Sequence, residues 1–75
     1  MLEPYKVLSF VDEIDHVTIR YRQGKGLDKK HAVRLLHTHA VWAEQPVPEG
    51  LTDADEVQLN RMLVELRETI MADFQ

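Results

Sequence analysis

Apolar residues in the first segment, PYKVLSFVDEIDHVTIRYRQ, recur at Val7, Phe10, Ile14, Val17 and Tyr21, with gaps alternating between three and four. This spacing places them on one stripe of a helix. Val11 flanks the stripe, and Lys6, Ser9, Asp12, Glu13, His16 and Arg20 fall on the opposite face. Pro4 suits a first helical turn, where its missing N–H costs nothing. Gly24 suits the position just past the end, and Arg20 and Arg22 sit near the negative pole of the dipole. The pattern predicts a helix over residues 4–23. Val17, Ile19 and Tyr21 also alternate with polar residues, and the β-branched side chains favour extended backbone. An N-terminal β-hairpin followed by two helices is therefore the competing arrangement.

In LDKKHAVRLLHTHAVWAEQ, Ala32, Leu35, Leu36, His39, Ala40, Trp42 and Ala43 share a broad face, with Lys30, Arg34, His37 and Glu44 opposite. Asp28 can cap this helix, predicted over residues 28–44. The stretch PVPEG, with two prolines and a glycine, reads as a stiff extended connector. A third helix, predicted over 52–74, follows. Thr52 with Asp53 and Asp55 forms a variant capping box, and Leu59, Met62, Leu63, Leu66, Ile70 and Phe74 form its main stripe. Helices of similar length joined by short connections favour side-by-side antiparallel packing. The expected architecture is one all-α domain spanning residues 1–75, an up-down-up three-helix bundle.

Some apolar residues are left over. Val57, Val64 and Met71 repeat every seven residues, away from the Leu59–Leu66–Ile70 stripe. In the first helix, Leu8 and Ile19 lie off the main stripe, with Tyr5 near them. A helix of a small bundle needs one apolar face, so a second one implies burial against another chain. Single exposed apolar residues are ordinary, but a heptad series of them is harder to explain that way. Trp42 stands at the margin of its stripe, where it is either core or an interface anchor. Leu8, Ile19, Trp42, Val57, Val64 and Met71 are therefore the candidate partner interface.

Length strengthens this reading. A chain of 75 residues lies near the lower limit for folding alone, and with no cysteine it has no disulfide or thiolate metal site to brace it. A core of this size supplies ~3–5 kcal/mol, so pairing with a second copy would be a natural support. No basic leader followed by an apolar stretch opens the chain, and no segment is apolar enough to span a membrane. A cytoplasmic location is the default expectation.

The net charge of −4 is unevenly placed. Arg20, Arg22, Lys25, Lys29, Lys30 and Arg34 gather in the middle, while the final third is acidic. That asymmetry could select a charged partner, or be satisfied between two copies. Gly24-Lys25-Gly26 has neither the P-loop spacing nor the third glycine of a dinucleotide-binding loop. Its bland reading is a helix end beside solvated lysines.

The run Ile19–Val41 loosely has the layout of a helix-turn-helix, in which the basic cluster would meet DNA. However, His37-Thr38-His39 contains no turn former, VWAEQ is poor in base-reading side chains, and net acidity opposes phosphate binding. His37 and His39, two apart, point to different faces and cannot chelate together. Asp12 and His16, four apart, read as an ordinary surface pair. His39, between Leu35 and Ala43, has the place of a core histidine, or of a pH-sensitive contact. No arrangement suggests a nucleophile with its base, a pair of catalytic carboxylates or a cofactor loop. The expectation is a non-enzymatic protein–protein interaction module, acting as regulator, adaptor or inhibitor and homodimeric, without cofactor or metal. A compact DNA-binding regulator using the basic 20–34 region is the alternative.

Overall fold

Pro4 opens the first helix, and its stripe determines which side is buried. The computed structural model describes residues 3–74. Among them are three α-helices and no strand: α1 (Pro4–Arg20), α2 (Lys29–Trp42) and α3 (Glu56–Phe74). The β-hairpin alternative is thereby excluded, since its residues form α1. Phe10, Val11, Ile14 and Val17 are buried, and Val7 and Tyr21 are half-buried. Buried Thr18 is satisfied by donating its hydroxyl to the Asp15 carbonyl at 3.2 Å.

The helix ends differ from expectation by a few residues, each for a local reason. α1 gives way after Arg20 to a wide π-type turn, Tyr21–Lys25, containing Gly24 at φ 78° and ψ 12°. Asp28 caps α2 by accepting the His31 N–H at 3.1 Å. At the other end of α2, Gln45 N–H reaches Ala40 O and Glu44 N–H reaches Val41 O, with Glu44 left-handed at φ 55°. These bonds form a Schellman closure without the usual glycine. The third helix begins at Glu56, not residue 52. Leu51–Asp53 form a separate 3₁₀ turn, and the cap is Asp55, which accepts the Gln58 N–H at 2.7 Å. Thr52 therefore does not cap α3.

The core centres on Ile14, Leu59, Leu63 and Ala32, all fully buried, with Val17, Phe10, Leu35 and Leu36 around them. Leu27 and Leu51, outside any periodic stretch, are also buried in it. They tie both connectors to the core.

The direction of α3 departs from the expected up-down-up order. Asp15 of α1 pairs with Arg67 of α3, whereas Val7 and Phe10 share a cleft with Ile70 and Phe74. Lower numbers on α1 thus meet higher numbers on α3, so the two helices run in opposite senses. The same cleft contains His39, Trp42 and Ala43, so the C-terminal ends of α2 and α3 converge. The cause is the connector. Leu51 anchors the 3₁₀ turn against α2, and Val47–Thr52 border a hollow with His37, well before the end of α2. The chain therefore doubles back along α2. Extended residues advance about 3.3 Å each against about 1.5 Å in a helix, so a short extended arm undoes many helical residues. The result is a slab, 33 × 27 × 16 Å, rather than a rod of three parallel helices.

Candidate functional site: the outer face of α1 and α3

At about 100° per residue, Leu8 and Ile19 fall about 20° apart around α1, and Val57, Val64 and Met71 within about 40° around α3. The fold turns these two edges toward each other. Ile19 and Val64 line one groove between the helices, together with Arg22, Arg67 and Glu68. Val57, Ile19 and Leu8 are exposed at 57, 51 and 43% of their surface, while Val64 and Met71 are half-buried. One member of each apolar series, Ile19 and Val64, thus meets at one seam.

An ion pair spans the seam. Arg67 Nε donates to Asp15 Oδ1 at 2.6 Å, with both side chains partly exposed. A charge-assisted contact of that length fixes the register of α3 on α1. Its net contribution is small because water reaches both groups. A second contact, His31 Nε2 to Glu13 Oε1 at 3.8 Å, joins α2 to the other side of α1 and is ionic only when His31 is protonated. On α3, the Asn60 Oδ1 is buried without a hydrogen-bond partner among the described residues.

Trp42 does not join this face. Its ring meets Phe10 edge-on, with centroids 4.8 Å apart and planes at 62°, in the cleft where α2 and α3 end. Sequence alone could not separate it from the other five, because a margin position on α2 does not say which neighbour lies beyond.

The basic cluster is divided as well. Arg20 and Lys25 border one hollow with His16 and Ile19, whereas Lys30 and Arg34 border another with Asp28 and His31. Arg22 instead lies in the α1–α3 groove near Glu68. Lys29 is half-buried and the other five are exposed. None of the six takes part in an ion pair among the described residues. α2 runs unbroken through His37, Thr38 and His39, so no turn divides it into the second and third elements of a helix-turn-helix.

His39 is half-buried, and desolvation lowers its pKa below the ordinary value. Among the described residues no group of histidine or acidic side chains is placed to hold a metal ion, and no helix is long and apolar enough to cross a membrane. No protein-family model, curated protein or solved structure matches this chain.

Proposed function

We propose that this protein is a small protein–protein interaction module that pairs with a second copy of itself through the outer face of α1 and α3. The supporting observation is that Ile19 and Val64 line one groove between the two helices, while Leu8 shares the helical face of Ile19, and Val57 and Met71 that of Val64, with Leu8, Ile19 and Val57 exposed. Covering them removes apolar surface from water at ~25 cal/mol per Å². Two helices about 25–28 Å long and roughly 10 Å wide present a footprint of roughly 500 Å² per copy. Doubled, this is close to the ~1,000 Å² at which specific interfaces begin, so the dimer is a reversible one. Acting as a regulator, adaptor or inhibitor, the module would use the same surface for a larger partner, with the basic connector selecting an acidic one.

Sedimentation velocity over a concentration series, on wild type and Val64→Glu, tests the reading. Wild type should associate at tens of micromolar, and the variant should stay monomeric with an unchanged helical CD spectrum. A wild type that is monomeric throughout would refute self-association. Retention of the monomer on DNA, released along a steep salt slope, would transfer the function to nucleic acid.

A further inference from the structure

The cleft where α2 and α3 end has a composition that the outer face does not explain. Its volume is about 240 Å³. That falls below the roughly 300–1,000 Å³ of sites for drug-sized molecules, so it suits a single ring with a short arm. Phe10, Trp42 and Phe74 supply aromatic walls, and Val7 and Ile70 add aliphatic surface. Trp42 and Phe74 remain 38 and 43% exposed, an unusual place for two large rings in a chain with so few aromatics.

The charged side chains lining the cleft have one sign. Asp73 lines it and no lysine or arginine does. The C-terminal ends of both α2 and α3 are directed to it, and each carries a partial negative charge, against one positive N-terminal end from α1. The remaining titratable lining group is His39, whose pKa is lowered by partial burial, which disfavours a positive charge there. Aromatic faces attract cations, tryptophan most strongly, and more so where water is displaced.

We propose that this cleft binds a small organic ammonium ion with an apolar body, an arylalkylamine of one ring. Asp73 pairs with the ammonium group, and Trp42, Phe10 and Phe74 enclose the ring. This is independent of pairing through α1 and α3.

The experiment titrates 2-phenylethylammonium, the neutral 2-phenylethanol and the anionic phenylacetate into the intact protein. Binding is read from the emission of Trp42, the only tryptophan, and from amide shifts of α2 and α3. The ammonium should bind saturably, about tenfold more tightly than the alcohol, and the anion more weakly still. Asp73→Asn should erase the preference for the amine while the alcohol binds as before. Ala43→Phe, at an exposed lining position, should exclude all three. Both positions are exposed, and a melting curve for each variant confirms an intact fold. Equal binding of amine and alcohol, a preference that survives Asp73→Asn, or a non-saturable response in wild type would each overturn the proposal.

Discussion

Two glycines flank Lys25, and the structure gives them unequal tasks. Gly24 lies in the left-handed helical region at φ 78°, ψ 12°, whereas Gly26 lies at φ 79°, ψ 153°. A Cβ added at either would meet nothing within 4 Å. Any effect of alanine there is therefore backbone strain, not collision. A left-handed residue with a Cβ costs ~1–2 kcal/mol, and alanine recovers ~0.4–1 kcal/mol by restricting the unfolded chain. Gly24→Ala should then destabilise by about 0.5–1 kcal/mol. The region of Gly26 is almost confined to glycine, and strain there runs to ~1–3 kcal/mol. Gly26→Ala should lose about 2 kcal/mol, which for a domain of this size lowers Tm by roughly 8–15 °C.

Urea unfolding followed by far-UV CD and by Trp42 emission measures both variants. A synthetic chain with D-alanine at position 26 provides the control, because the mirror-image residue adopts positive φ without strain. It should match or exceed wild type. If Gly26→Ala is as stable as wild type, or if D-alanine fails to restore stability, the connector does not have this conformation. The orientation of α2 on α1 would then need another cause.

The other predictions concern the far end of α2. Glu44 occupies the left-handed position of the Schellman closure at φ 55°, so Glu44→Gly should stabilise by about 0.5 kcal/mol in urea unfolding, and a loss of stability would contradict that closure. His39 has its pKa lowered by burial from an ordinary 6.5. As pH falls below 6.5 the unfolded chain takes up the proton first, so stability is full above that value and declines toward the folded pKa. His39→Gln should flatten the decline relative to wild type, and identical pH profiles would refute the assignment.

The two surfaces proposed for binding arise from the same feature, the returning connector. Had α3 followed α2 through a tight corner, its C-terminal end would lie away from the end of α2, and no cleft would form between them. The outer seam would also pair different residues, because Ile19 would no longer stand opposite Val64. The burial of Leu51 is what prevents this, since it holds the arm against α2.

Much was legible in the chain because helices are local objects. The stripes Val7–Tyr21 and Leu59–Ile70, the cap at Asp28 and the stop at Gly24 are read from spacing and residue type within a few turns. The surplus of Leu8, Ile19, Val57, Val64 and Met71 was visible for the same reason. Leu27, Val33 and Leu51 were not identified as core, because a lone leucine in a connector or a valine off the stripe carries no period. The sequence by itself determined three amphipathic helices and an excess of apolar surface. Only the tertiary structure decided that α3 opposes α1, that Ile19 and Val64 line one groove, and that Trp42 stands apart from it. Periodicity reports which side of a rod seeks cover, but the path of an irregular arm, set by where its one buried leucine can pack, decides what covers it.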